Sequence, residues 1–462
     1  MRASDAPYNR AFGALAQLPS QVLAIMDALE DAGHEAWLVG GFVRDALRGV
    51  TPHDADLATD ALWQEVSAAA RARGFDVIET GTKHGTVTVV VDGCACEVTT
   101  FRTEDGYADH RHPDAVHFVS TIEEDLARRD FTVNAMAFHP HRGLVDPFDG
   151  QHDLAHRIIR CVRDPRERFE EDALRIVRAL RFASQLGFWI DPDTEIALRE
   201  NAGLLADVAG ERLDDELTRL LCGAAVRATL MRYPDVLGVV IPCLLPMVGF
   251  DQHSRWHVFD VLEHTAHVVE ATPSYPLVRW AALFHDSGKP DTFLMDADGV
   301  GHMPGHQIVS VEHMRKTAQR LHFSRKFTHE LTLLVRFHDD HPGASEKDVR
   351  KLYAKLEGDA HLFHVMCDLM RADAMGQAEF SHARVKTIDE VEALFNAMVA
   401  RDACLTVHDL PVSGDDLKAL GVPQGPYIGL LLGELFNAVA NETVAPERPA
   451  LLAYAKRLIE ND

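Results

Sequence analysis

Asp54 and Asp56, in the stretch His53-Asp54-Ala55-Asp56-Leu57-Ala58, have the residue types and spacing that most directly invite chemistry in this chain. Alternate side chains of an extended segment share a face, so the two carboxylates would stand side by side and repel unless a cation lay between them. Hard oxygen ligands of this kind suit Mg²⁺ carried with nucleotide phosphates. An isolated Asp-x-Asp is more often a solvent-facing acidic turn, so the surroundings decide. Shortly upstream, Leu38-Val39-Gly40-Gly41-Phe42-Val43-Arg44-Asp45 reads as a strand, a glycine turn and a helix start. Glycines at Gly40 and Gly41 let backbone approach a phosphate, and the helix start offers free N–H groups and a favourable dipole. Arg44 adds a positive charge one turn in. A strand-Gly-Gly-helix unit alone is a weak signal, but beside the aspartate pair it favours a phosphate-handling site.

A second group of residues is arginine-rich. Between Arg157 and Arg181 there are eight arginines against five acids. Within it, Glu171-Asp172-Ala173-Leu174-Arg175-Ile176-Val177-Arg178-Ala179-Leu180-Arg181 places Asp172 and Arg175 three apart, on one face if the segment is helical. Arg178 and Arg181 continue the row, and the residues between are apolar, so the helix is expected to be packed. Arginines held in a packed helix need anionic or planar partners. The competing reading is an ion-pair lattice within the helix.

A third group is built on histidine. The chain has 26 histidines. His257 and His264 fall on an expected helix, His285-Asp286 opens His-Asp-Ser-Gly-Lys-Pro, and His306, His338 and Asp373 follow. Imidazole with carboxylate suits a divalent transition metal, or Mg²⁺ with water positions left open, and water on such an ion is a nucleophile near neutral pH.

The elements that must carry these groups are legible in outline. Residues 11–33 read as an amphipathic helix, Ala36–Val39 as a short strand, and Phe42–Arg48 as a helix ending at Gly49. Val87–Val91 and Cys96–Thr100 are strands around an Asp92-Gly93 turn. Val116–Val119 and Leu144–Val145 are further short strands. From Asp153 onward apolar residues recur at helical spacing, broken at intervals by prolines. The expected class is α+β: a small mixed α/β head followed by a mostly helical neck, body and tail. With 462 residues, two to four domains are expected.

Composition sets further bounds. Hydrophobic residues make up 47% and charged residues 25%, ordinary for a globular protein. The seven cysteines are scattered and make no disulfide framework, and the Cys94/Cys96 pair reads as strand residues, which fits a reducing compartment. No signal peptide or membrane span is legible, so a cytoplasmic location is expected. A net charge of −25 argues against indiscriminate nucleic-acid binding, although local arginine clusters remain able to bind RNA.

The order GGFVRDALRG, HDADLAT, CEVTTFR, RRDFTVNAMA, EDALRIVRALRF closely resembles the class II tRNA nucleotidyltransferases, of the DNA polymerase beta-like superfamily. The resemblance implies template-independent addition of C, C and A to a tRNA 3′ end from CTP and ATP, releasing pyrophosphate. It implies two Mg²⁺ ions on Asp54 and Asp56, with Glu97 similar in position to a third acid of the superfamily. It implies that Gly41, Arg44 and Arg129 hold the nucleotide's triphosphate, and that Asp130 and Asn134 help place the ribose. Asp172 and Arg175 would then read the base edge, supported by Arg178 and Arg181. Glu211–Leu217 resembles a buttressing motif. Phe101–Pro113 resembles the flexible loop of enzymes that add the terminal A, which disfavours an enzyme adding only CC.

The histidine group resembles an HD-superfamily phosphohydrolase domain, which implies His264, His285, Asp286 and Asp373 as ligands of a second kind of divalent site. His306 and His338 would complete a further site. The implied organisation is a head at 1–150, a neck at 151–250, an HD domain at 251–385 and a tRNA-binding tail at 386–462. An A-adding-only enzyme, a bacterial poly(A) polymerase, an HD phosphohydrolase with a degenerate head and a non-catalytic RNA-binding module are the competing readings.

Overall fold

A computed structural model describes residues 18–52, 54–105, 115–401 and 403–461. The chain divides into two compact units, residues 1–220 and 221–462.

The first unit is built on a seven-stranded sheet. Its strands are β1 (Ala36–Val39), β2 (Asp56–Thr59), β3 (Asp76–Ile78), β4 (Thr86–Val91), β5 (Cys94–Thr100) and, after a separate two-stranded ribbon of β6 (Arg102–Asp105) with β7 (Ala115–Phe118), β8 (Ala137–His139) and β9 (Gly143–Val145). The sheet order is β3-β4-β5-β2-β1-β8-β9. β1 is an interior strand, between β2 and β8, and is buried along its whole length, which its Ala-Trp-Leu-Val sequence permits. β4 alternates, with Val87, Val89 and Val91 turned inward. Asp92 and Gly93 take φ of 49° and 77°, the conformation of a tight hairpin turn whose twist matches the flanking strands. The helix Ser20–Asp31 buries Val22, Ile25, Met26 and Leu29, one face at helical spacing. The remainder of the expected N-terminal helix, residues 11–17, lies outside the described residues.

Beyond the sheet come the helices Pro165–Glu171, Leu174–Leu186, Pro192–Glu200 and Gly210–Leu221. Asp164 and Asp191 cap the first and third through backbone N–H groups, each followed by a proline at the first helical position. Leu174–Leu186 buries Ile176, Val177, Ala179 and Leu180 completely and stops at Gly187, which adopts φ of 66°.

The structure differs from the sequence reading at three places here. The arginine segment is not one helix, because Asp172 is extended (φ −142°, ψ 101°) between Pro165–Glu171 and Leu174–Leu186. The cause is local: Asp172 Oδ1 accepts the Leu174 N–H at 3.2 Å, an alternative to continued helix. Arg102–Asp105, read as the start of a loop, is a strand paired with Ala115–Phe118, while the remainder of that loop, residues 106–113, lies outside the described residues. Asp54 precedes β2, which begins at Asp56, yet the expected alternation holds: both aspartates are exposed and Ala55 is buried.

The second unit is helical. Val261–Ala271, Pro276–Phe284, His306–Leu321, Arg325–Phe337 and Ala360–Gly376 pack around a core containing Trp280, Phe284, Met314 and Phe363. Each such fully buried side chain contributes about 1.5–3 kcal/mol. Gly414–Ala419, Pro426–Ala440 and Arg448–Asn461 enclose a core of their own around Leu417, Leu435 and Leu451. His257, expected on a helix, lies before Val261–Ala271, whose cap is Asp260. Among the described residues no helix is long and apolar enough to cross a membrane.

Candidate functional site

Gly40 links β1 to the helix Gly41–Leu47 with φ 68° and ψ −132°, a backbone open essentially to glycine. A Cβ there would also come within 3.1 Å of Arg129 Nη1, so the residue admits both the turn and the guanidinium. Arg44 is fixed from two sides, donating to both carboxylate oxygens of Asp45 at 2.9 and 2.8 Å and to Asn134 Oδ1 at 2.8 Å.

Asp56 pairs with Val39 on β1 and, in parallel register, with Glu97 on β5. That pairing brings Glu97 beside the Asp54/Asp56 pair. Asp56 opens towards solvent, yet the surrounding walls reduce its hydration. That loss, then the charges of Glu97 and Asp54, hold its carboxyl above the usual range against the pull of Arg129. Two neighbouring acids that disfavour the charge on Asp56 in this way fit a bound cation, which would relieve the repulsion.

Arg129 is positioned by a residue the sequence reading passed over. Asp125, 1% exposed, accepts from Arg128 at 2.9 and 2.8 Å and from Arg129 Nη2 at 3.1 Å. Burial alone would raise Asp125, but Arg129 and Arg128 outweigh it and keep the carboxyl low. The three- and four-residue spacing from Asp125 to the two arginines was the available signal.

Asp130 reaches from the cavity wall to the neck. Its Oδ2 accepts from Arg178 at 3.0 and 2.6 Å, and its Oδ1 accepts from Asn134 and from the Phe131 N–H. Burial works against the charge, but Arg178 outweighs it and holds the carboxyl at about 2. Glu216, 4% exposed, faces Arg178 at 2.9 Å and Arg181 at 2.7 Å. Burial lowers Arg181 to about 10, with Glu216 opposing and Arg178 reinforcing, and its guanidinium lies 3.8 Å over the Phe182 ring. The row of arginines is therefore an ordered ion-pair network that joins the neck to the head.

Asp172 Oδ2 accepts from Arg212 at 2.8 Å. Arg175 donates to the Arg168 carbonyl at 3.1 Å, to Glu171 at 2.5 Å and to the Arg128 carbonyl at 3.3 Å. Asp172 and Arg175 thus stand at the helix break itself, each steadied by a neighbour. Gly41, Arg44, Asp54, Asp56, Arg129 and Asp130 share one cavity of about 630 Å³ with Asp172, Arg175, Arg178 and Arg181. That volume lies within the range that holds small-molecule ligands. Its lining carries both carboxylates and guanidinium groups, a set suited to a nucleotide whose phosphates need cations and whose base offers donors and acceptors.

The second unit holds a different cluster. His264, His285, His306 and His338 each direct Nδ1 at a backbone carbonyl, of Gly376, Ala282, Met303 and Val335, at 2.7–3.0 Å. Each Nδ1 therefore carries the proton, and each Nε2 offers a lone pair. Those lone pairs converge: His264 and His285 approach to 3.2 Å, and His306 and His338 to 3.3 Å. Asp286 sits between the pairs, with Oδ2 3.3 and 3.2 Å from the first pair and Oδ1 3.4 and 3.5 Å from the second. Asp373 lies 3.2 Å from His264.

Facing acceptor nitrogens at this distance require a cation between them, either a proton or a metal. Burial resists a charge on His264, yet hydrogen bonds that the charged ring donates to Asp286 and Asp373 outweigh it and lift the imidazole to about 9. His264/His285/Asp373 and Asp286/His306/His338 are groups whose ligand atoms lie close enough for one ion each. Lys289, buried, sits 2.6 Å from Asp286 Oδ2. The backbone carbonyls that set the histidine tautomers have no sequence signature.

Residues 36–160 match the family described as poly A polymerase head domain, and residues 187–244 match one described as a probable RNA and SrmB-binding site of polymerase A. The CCA-adding enzyme of Lactiplantibacillus plantarum is 33% identical over 451 residues, covering 97% of this chain and 99% of the relative. The CCA-adding enzyme of Geobacillus kaustophilus is 34% identical over 441 residues, 94% of this chain and 96% of the relative. Among solved structures, the Bacillus stearothermophilus CCA-adding enzyme in complex with CTP superposes with a TM-score of 0.69 at 28% identity, covering 96% of this chain and 99% of that one.

Proposed function

The chain belongs to the CCA-adding enzyme family, the tRNA nucleotidyltransferases, and on that premise we propose that it adds C, C and then A to the 3′ end of tRNA from CTP and ATP, releasing pyrophosphate. The observation that carries this reading is the single cavity that gathers the aspartate pair, the triphosphate-holding arginines and the Asp172/Arg175 pair.

In this reading Asp54 and Asp56, with Glu97 beside them, would hold two Mg²⁺ ions, which when bound favour ionisation of the tRNA 3′-hydroxyl and carry charge from the departing pyrophosphate. Arg44, pinned by Asp45 and Asn134, and Arg129, pinned by Asp125, meet the triphosphate without further ordering. Asp172 accepts from, and Arg175 donates to, the base edge, in place of a template strand. Both already have partners, Arg212 and Glu171, so base entry exchanges one set of hydrogen bonds for another. Asp130 supports the site through Arg178.

Incubating the purified protein with tRNA lacking its last three nucleotides, with CTP and ATP given separately and together, tests this function. CTP alone should add two nucleotides and the pair should add three. A long adenine tail, or addition of A only to tRNA already ending in CC, would replace the proposal with one of its rivals.

The histidine cluster supports a second activity of another class. His264, His285, Asp286 and Asp373 would hold one divalent ion, and His306 and His338 with the free oxygen of Asp286 another; such ions when bound supply a water that ionises near neutral pH. Lys289, and Arg384 lining the same recess, would orient a phosphate ester there. Metal-dependent release of phosphate that persists when Asp54 and Asp56 are both replaced by alanine would support it.

A further inference from the structure

Residues 312–326, Glu-His-Met-Arg-Lys-Thr-Ala-Gln-Arg-Leu-His-Phe-Ser-Arg-Lys, hold five lysines or arginines and one acid, in a chain whose formal net charge is −25. They span the end of the helix His306–Leu321, a turn at His322 (φ 60°) and the start of the helix Arg325–Phe337. The two helices pack on each other, so the cations gather at one end of the pair.

Helix stability explains only part of this pattern. Arg320, in the last turn of the first helix, complements the negative end of its dipole. Arg325 and Lys326 do the opposite. They occupy the first turn of the next helix, where the dipole is positive, and that turn contains no acid. Each is opposed there by the dipole, and an aspartate or glutamate would be the stabilising choice. Ser324 already caps that helix by accepting the Phe327 N–H at 3.2 Å, so the cations are not needed for capping.

Nor does ion pairing account for them. Arg315, Lys316 and Arg325 are exposed and have no carboxylate partner among the described residues. Lys326 reaches Glu330 only at 3.6 Å while remaining 85% exposed. Lys316 and Arg320, with His313, also line a recess of about 400 Å³ whose other wall is Val239, Pro242 and Pro246. The carboxylate in that recess, Asp291, is engaged with His313 at 3.5 Å. Arg325, placed against the dipole, and Arg315 and Lys316, exposed without an acid beside them, are poised for an external polyanion. A chain this acidic repels RNA at long range and must bind it at locally positive edges.

We propose that this helix–turn–helix edge docks the phosphodiester backbone of the RNA substrate, with Arg315, Lys316, Arg325 and Lys326 meeting phosphates and the free N–H groups of the second helix adding to them. The proposal rests on the reading of tRNA as substrate. Contacts of this kind fix register without reading sequence.

The test is binding of full-length protein to tRNA across a KCl series, for wild type, R315A/K316A/R325A and the charge-keeping R315K/K316R/R325K. Losing three phosphate contacts should take about 2–3 from the slope of log K against log salt and weaken binding about 30- to 150-fold at 0.15 M salt. The charge-keeping variant should bind as wild type, and the loss should appear in the KM for tRNA with the KM for CTP unmoved. Each single alanine variant should remove about one from the slope, which keeps the test decisive if the triple variant fails to fold. A folded alanine variant with wild-type slope and affinity overturns the proposal. Wild-type protein that neither binds nor extends tRNA overturns the functional reading instead.

Discussion

Replacing Glu216 with glutamine keeps the shape of a buried side chain and removes one negative charge from the network that joins neck to head. Its Oε1 accepts from Arg178 at 2.9 Å and its Oε2 lies 2.7 Å from Arg181. After E216Q, Arg178 keeps Asp130, but Arg181, 7% exposed, is left with Gln185 at 3.2 Å, the Phe182 ring and the more distant charge of Asp130. Breaking a buried pair by removing one partner costs about 3–5 kcal/mol. Arg178 is about a third exposed in its side chain, and the new amide still accepts one hydrogen bond, so the expected loss is about 2–3 kcal/mol. For a unit of this size that lowers the melting temperature by about 5–10 °C. Because Arg178 and Arg181 line the cavity proposed to hold the nucleotide, the KM for CTP should rise about tenfold, equivalent to 1.4 kcal/mol. Differential scanning calorimetry and steady-state kinetics on the same preparation read both numbers. A melting temperature within 2 °C of wild type would refute the reasoning, since it would mean that Arg181 is satisfied without Glu216.

Further outcomes follow from the same geometry. Asp54→Ala and Asp56→Ala should each lower nucleotide addition about a thousandfold or more while leaving tRNA binding intact, measured by single-turnover extension and filter binding. Asp130 is depressed to about 2, so its pairing with Arg178 stabilises the fold above about pH 4. That contribution should disappear as pH falls from about 4 to 2, so acid unfolding curves of wild type and D130N should converge across that window. Arg212→Ala removes the partner of Asp172, whose side chain is only partly exposed, and should reduce discrimination between CTP and UTP by about three- to tenfold in competition assays. His264→Ala should cost the second unit bound divalent metal, measured by elemental analysis, without stopping nucleotide addition in the presence of excess Mg²⁺.

Much of this site was legible from spacing alone. The period-two rule placed Asp54 and Asp56 on one face, and the Gly40-Gly41 turn could be read because few other sequences follow a buried strand in that way. The Asp92-Gly93 hairpin was legible for the same reason. What spacing could not convey was competition between a side chain and the backbone. Asp172 ends a helix that its neighbours would otherwise continue, so the Asp172/Arg175 pair meets at a break and not along one face. Long-range partners were also hidden: Glu216 was read as part of a buttress, and nothing near it in sequence indicates Arg178 or Arg181. In the histidine cluster the ligand types were readable, while the carbonyls that turn four Nε2 atoms inward became visible only with the fold.

Crystals soaked with CTP and Mn²⁺ probe the cavity most directly. Anomalous scattering should appear between the Asp54 and Asp56 carboxylates, with the triphosphate against Arg44 and Arg129 and the cytosine edge at Asp172 and Arg175. Manganese absent from those carboxylates, or a base bound away from the helix break, would contradict the assignment of this cavity to nucleotide addition.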